Sequence, residues 1–108
     1  MNFFAAWCDE CRKELPTLSD AARRSPSVTF IGVDEADSRS NAVDLLAAAR
    51  VAYPAGYDPD KTIAHRFNVV GIPTTFFIRA DGTISSVVRG PIGSAELGRR
   101  MRDLVGSV

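Results

Sequence analysis

Hydrophobic and polar positions follow two periods along this chain, and each change of period marks a new element. Residues 1–6 are apolar apart from Asn2 and rich in aromatics, which suits a buried strand. From Asp9 or Glu10 the period becomes helical, with Leu15 and Leu18 at an i, i+3 spacing, and Ser25-Pro26 stops the helix after Arg24. Pro16 falls inside it, where a missing donor bends the axis. Residues 28–33 are β-branched and apolar and end in Asp34-Glu35, which predicts a buried parallel strand. A helix follows over 42–50, capped by Asn41 or Ser40, with Val43, Leu46 and Ala47 as its apolar face. Residues 51–54 form a strand too short and too proline-bound to be central. After the turn Asp58-Pro59-Asp60, Asp60 starts a helix whose face is Ile63, Ala64 and Phe67. Residues 70–78 join a turn to a strand, Ala80-Asp81-Gly82-Thr83 makes a tight turn, and residues 84–88 return antiparallel. Ser94 caps the last helix, with Leu97, Met101, Leu104 and Val105 as its stripe.

The order is therefore β, α, β, α, short strand, α, β, β, α. This is an α/β chain with a mixed central sheet flanked by helices. Its first two long strands are expected to be parallel and joined by the first helix, with the terminal hairpin antiparallel beside them.

With 108 residues the chain reads as a single domain over 1–108, large enough to bury a core without disulfide staples. Thirteen basic and thirteen acidic residues cancel, and no basic run carries interleaved aromatics, so nothing points to a nucleic-acid partner. The three arginines Arg99, Arg100 and Arg102 read as a solvated helix face. The apolar runs are far shorter than a membrane-spanning helix, and the first residues lack the pattern of a signal peptide. Because Met1 leads at once into a buried strand, the chain is expected to begin inside a longer sequence. Any targeting segment or membrane anchor would then precede Met1.

Against this background the cysteines change the picture. The chain has two, Cys8 and Cys11, in Trp7-Cys8-Asp9-Glu10-Cys11, where the aromatic strand gives way to the helix. Two thiols at this spacing can close a small disulfide ring at a helix N-terminus. The unpaired N–H groups there favour a thiolate at Cys8, which makes it the attacking sulfur. Cys11, one turn on, is sheltered and can resolve a mixed disulfide from within. A closed zinc site needs four ligands, and the only histidine, His65, lies far along the chain on a helix, toward solvent or the rim. A purely structural bridge over so short a loop removes little chain entropy. At Ile72-Pro73, two readings stay open on the residues alone: a cis bond kept for local geometry, or an ordinary strand-edge proline.

Three motifs in register carry a resemblance that runs nearly end to end. They are Asn2-Phe3-Phe4-Ala5-Ala6-Trp7-Cys8, Cys11-Arg12-Lys13-Glu14-Leu15-Pro16 and Gly71-Ile72-Pro73-Thr74-Thr75-Phe76. The chain resembles the TlpA/ResA-like thiol-disulfide oxidoreductases of the thioredoxin superfamily. The resemblance implies a thioredoxin-like fold, with residues 40–57 as that family's helix-plus-strand insertion and the upstream strand and helix of the full domain absent. It implies Cys8 as nucleophile and Cys11 as resolving thiol. Glu14 becomes the acid that exchanges protons with the thiol, more so because Asn2 stands where thioredoxin has a buried aspartate. Pro73 becomes a cis-proline facing the disulfide, with Trp7 and the Ile72 backbone taking the substrate.

The activity implied is reduction of protein disulfides through the Cys8–Cys11 couple, with no cofactor or metal. The partners implied are a cysteine-containing protein, such as an apocytochrome c, and an upstream thiol reductant. The setting implied is extracytoplasmic, and the state monomeric. Two rivals are a copper or zinc carrier of related fold, which uses wider cysteine spacing and a loop histidine, and a peroxiredoxin-type peroxidase. The latter needs a Thr-x-x-Cys site, whereas Phe4 or Ala5 stands at that distance here. The main departure from the resemblance is Asp9-Glu10 between the cysteines. Two acids beside the sulfur oppose the thiolate, so the couple is expected to lie nearer thioredoxin's potential than a strong oxidant's.

Overall fold

The structure is a computed structural model that describes residues 1–106. Strand β1 (Asn2–Phe4) leads into helix α1 (Asp9–Arg24), and strand β2 (Gly32–Glu35) pairs parallel to β1 with Asn2 opposite Gly32 and Phe4 opposite Asp34. Helix α2 (Arg39–Ala48) carries the chain to strand β3 (Ala55–Asp58), which pairs parallel to β2. A short helix α3 (Thr62–Arg66) then returns it to the other side of β1. There β4 (Thr74–Ile78) pairs antiparallel with β1 and forms a hairpin with β5 (Ile84–Arg89). Helix α4 (Ser94–Gly106) closes the fold. The strand order β3-β2-β1-β4-β5 places β1, which delivers the cysteines, at the centre of a mixed five-stranded sheet.

Side-chain alternation divides the core between the two faces of this sheet. On one face Phe3, Val33 and Phe76 meet Ala64 and Phe67, and the rings of Phe3, Phe67 and Phe76 pack at centroid distances of 5.2 to 5.7 Å. On the other, Leu18 and Ala21 of α1 pack with Phe77, Leu97 and Met101. Phe4, Ala5, Cys8 and Cys11 form a separate cluster there, covered by Leu45, Leu46 and Ile72. Gly32 suits this packing: a Cβ at that position would sit 3.0 Å from the Phe4 ring.

Several expected boundaries shift, each for a local reason. The second strand occupies 32–35 rather than 28–33, because ladder pairing is available only opposite Asn2–Phe4 and Ala55–Asp58. Val28 and Phe30 pack against the α1–α4 core instead. The short strand follows Pro54 rather than containing it. Proline has no N–H to give, but its carbonyl accepts from Gly32 N–H at 2.9 Å and starts the pairing.

The cap of α2 is Ser38, whose hydroxyl accepts from Asn41 N–H, and not Ser40 or Asn41. That start turns the helix so that Ala42, Leu45 and Leu46 face inward, while Val43 is 54% exposed. Helix α3 begins after Lys61, which holds a left-handed φ of 60°. Asp58, not Asp60, satisfies its first donors: its two oxygens accept from Ile63 and Ala64 N–H at 3.1 and 2.9 Å. Ile63 accordingly turns outward, while His65 is exposed as expected. At α4 the Gly93 carbonyl accepts from Leu97 N–H, so Ser94 is the first helical residue rather than the cap.

Candidate functional site

Phe4 and Ala5, fully buried, carry β1 into a turn that ends at Cys8. Cys8 caps α1 from an extended backbone conformation, and its sulfur accepts from Cys11 N–H at 3.2 Å. The orphan donors of the first helical turn are thus aimed at that sulfur, which favours negative charge there when the bridge is open. In this structure the two cysteines are joined as a disulfide, with their Cα atoms 5.2 Å apart. Cys8 is 8% exposed and Cys11 1%. An incoming thiol or disulfide therefore meets Cys8 first.

The loop before β4 closes over the pair. The Ile72–Pro73 peptide bond is cis, and the Ile72 carbonyl oxygen lies 3.9 Å from Cys8 Sγ. The loop is pinned on both sides: Thr74 Oγ1 donates to the Gly71 carbonyl at 2.7 Å, and Gly90 N–H donates to the Pro73 carbonyl at 2.8 Å. Pro73 is fully buried. Trp7 stands on the rim, 62% exposed, and its indole N–H donates to the Ala36 carbonyl at 3.0 Å.

Glu14 lies one turn beyond Cys11 and is buried. One of its oxygens accepts from Asn2 Nδ2 at 2.9 Å and the other from Ile92 N–H at 2.8 Å, so its direct partners are these donors and not a sulfur. Burial raises its carboxyl above the usual range, against the pull of the Ile92 and Asn2 bonds. Asn2 also donates to Thr75 Oγ1 at 3.0 Å, which ties β1, α1 and β4 together.

The acids between the cysteines do not stand alone. Asp9 pairs with Arg12 at 3.5 Å and Glu10 with Lys13 at 3.9 Å, all of them well exposed. The field that the two acids put on Cys8 is thus partly offset. His65 stays apart on α3, and among the described residues no group of three or more His, Cys, Asp or Glu side chains is placed to hold a metal ion.

Asp34 and Asp37 are not among the site residues expected from the sequence. Asp34, at the end of β2, is 2% exposed, and burial together with the facing Asp37 carboxyl pushes it up to about 8. Asp37 Oδ2 accepts from Ala6 N–H at 2.6 Å, two residues before Cys8. The one available signal was a pair of acids at the end of an apolar strand, which reads equally well as the start of a turn.

A disulfide in the first turn of a helix, fed by the central strand of such a sheet and facing a cis-proline, defines a thioredoxin-like protein. The chain belongs to the AhpC/TSA family, whose model matches residues 1–87. It is similar to the thiol:disulfide interchange protein CycY of Rhizobium leguminosarum bv. viciae, at 35% identity over 84% of this chain and 49% of CycY. It is also similar to the thiol-disulfide oxidoreductase ResA of Bacillus subtilis, at 28% identity over 83% of this chain and 51% of ResA. Among solved structures, a secreted Mycobacterium tuberculosis disulfide oxidoreductase homologous to E. coli DsbE superposes with a TM-score of 0.88 at 30% identity, covering 95% of this chain and 78% of that one. The chain spans about half the length of the curated relatives it matches.

Proposed function

We propose that this protein exchanges thiols and disulfides with cysteine-containing proteins through Cys8 and Cys11, working mainly as a reductant. The observation that carries this reading is the unequal shelter of two bonded cysteines, with Cys8 the more accessible under helix donors and Cys11 behind it. In the reduced protein the Cys8 thiolate attacks a substrate disulfide. It forms a mixed disulfide and releases one substrate thiolate. Cys11, once deprotonated, attacks Cys8 Sγ, which closes the Cys8–Cys11 bridge and releases the second substrate thiolate. Glu14 is the acid-base group of this step, its carboxyl raised by burial above the usual range. An upstream dithiol reductant returns the pair to the reduced form, and no other cofactor takes part.

An extended substrate segment docks along the Ile72 backbone beside Pro73, with the exposed Trp7 ring against it. The setting proposed is outside the cytoplasm, in the cell envelope of a bacterium, in keeping with the secreted relative. Oxidised thiol proteins, apocytochromes c among them, are the substrate class. Peroxidase chemistry of the peroxiredoxin kind lacks its threonine, since Ala5 stands three residues before Cys8. The test is insulin reduction by the reduced protein, together with partner trapping on Cys11→Ala, which stalls at the mixed disulfide. Failure to reduce insulin combined with tight equimolar binding of Cu(I) or Zn(II) would overturn the reading in favour of metal carriage.

A further inference from the structure

Asp34 and Glu35 are consecutive buried carboxyls at the end of β2, and alternation sends them to opposite faces of the sheet. Glu35 meets Lys61 Nζ at 3.9 Å. Neither oxygen of Asp34 accepts a hydrogen bond from a donor. A buried carboxylate without a donor is a costly arrangement, and a fold that keeps one has a way to neutralise it.

The surroundings of Asp34 supply that way. It lies in register with Phe4 on one side and Tyr57 on the other, on the face that holds Cys8, Cys11, Leu45 and Leu46. The titratable groups on this face include the two bonded cysteines, Tyr57, the neighbouring Asp37 and, further along α1, Glu14, which is held by Asn2 and Ile92, and Tyr53, whose buried phenol is raised by burial and by Glu14. The Asp37 carboxyl, three residues on in the loop after β2, faces Asp34. Two carboxylates are both acceptors and cannot bond each other, but a single proton between them makes the bond.

Asp37 is committed on its other sides. Its Oδ2 accepts from Ala6 N–H at 2.6 Å, its Oδ1 from Ser38 N–H at 2.8 Å, and its carbonyl from the Tyr57 hydroxyl at 2.9 Å. The preceding carbonyl, that of Ala36, holds the Trp7 indole, and Ala36 itself sits at a left-handed φ of 48°. The segment beside Asp34 therefore grips both residues that lead into Cys8.

We propose that Asp34 and Asp37 share one proton and act together as positioning residues for the Ala6–Trp7 turn, holding Cys8 in place while the proton is present. When a base in the solvent removes it, two negative charges face each other in a buried site. They separate, and the Asp37 and Ala36 grip on the turn loosens. The consequence for exchange, a fall in rate on the alkaline side, rests on the function proposed above. The proton-sharing itself does not.

The oxidised full chain gives a readout free of thiol titration, because neither cysteine carries a proton and Trp7 is the single tryptophan. Trp7 fluorescence, followed from about pH 5 to about pH 9.5, is expected to change with a midpoint near 8. Asp34→Asn keeps an amide donor for Asp37 but has no proton to lose, so it should hold the low-pH signal throughout. A wild-type signal with no transition, or a transition that survives in Asp34→Asn, overturns the proposal. If Asp34→Asn fails to fold, NMR of the assigned Asp34 and Asp37 carboxyl carbons of the wild type decides: a titration at Asp34 well above the ordinary range that also registers at the Asp37 carbon supports the shared proton, and an ordinary Asp34 titration near pH ~4, or one that leaves the Asp37 carbon unmoved, refutes it. Loss of insulin reduction in both proteins at every pH would instead defeat the exchange function while leaving the fluorescence result standing.

Discussion

Asn2 of β1 donates to Glu14 of α1 across 2.9 Å, and Ile92 N–H donates to the other Glu14 oxygen across 2.8 Å, so one buried carboxylate joins the cysteine helix to the central strand and to the segment before α4. Glu14→Gln replaces one accepting oxygen with a donor that neither partner can use. The variant should lose about 1–2 kcal/mol of stability in urea unfolding and stay folded. Its insulin-reduction rate should fall, and the pH dependence of that rate should shift. A pH–rate profile identical to the wild type's would reduce Glu14 to a structural tie.

The raised carboxyls also set how stability varies with pH. Asp34, Glu14 and Glu35 all hold their protons more tightly folded than unfolded, because burial disfavours their charged forms. Between the unfolded value of 3.8 for Asp34 and its folded value of about 8, the folded state therefore binds more protons, and stability falls as pH rises. This contribution is complete below the unfolded value and is lost as pH passes the folded one. Denaturation midpoints of the oxidised protein should accordingly be lower near pH 9 than near pH 6, and Asp34→Asn should flatten the difference. A protein more stable at pH ~9 would contradict it.

Gly32 of β2 lies beneath the ring of Phe4, and the added Cβ of Gly32→Ala would meet that ring at 3.0 Å and Ala55 at 3.3 Å. Both neighbours are fixed by the sheet, so the cost should be overpacking of about 1–3 kcal/mol, read as a lower thermal midpoint. An unchanged midpoint would mean that the Phe4 ring yields freely.

Features carried by local signals are legible in the sequence. The CxxC spacing at a change of period and the element order each need only a few neighbouring residues, and the structure has the disulfide and the mixed sheet; the proline before the β-rich run left two readings open, and the structure has the cis bond that the resemblance implied. The capping residues differ from expectation by two or three positions at α2, by two at α3 and by one at α4, since several residues of capping type stand side by side and backbone geometry chooses among them. What sequence could not reveal depends on distant partners. Glu14 is held by groups 12 and 78 positions away. Asp34 is buried between Phe4 and Tyr57, its neighbours across two strand pairings to distant parts of the chain.

Asp9 and Glu10, where the chain departs most from the family it resembles, give the last prediction. Alone, two acids beside Cys8 would oppose the helix donors that favour its thiolate and make the couple more reducing. Here each acid is paired one turn on, with Arg12 at 3.5 Å and Lys13 at 3.9 Å, and all four side chains are in water. Part of the opposing field is cancelled and the rest is screened. Replacing the pair by Asn and Gln removes the acids but frees both cations, which then favour the thiolate directly. The glutathione equilibrium should move toward the oxidising side by about fivefold or less, and by still less at high salt. A couple that stays put, or becomes more reducing, would show that these acids serve the first helical turn and leave the sulfur untouched.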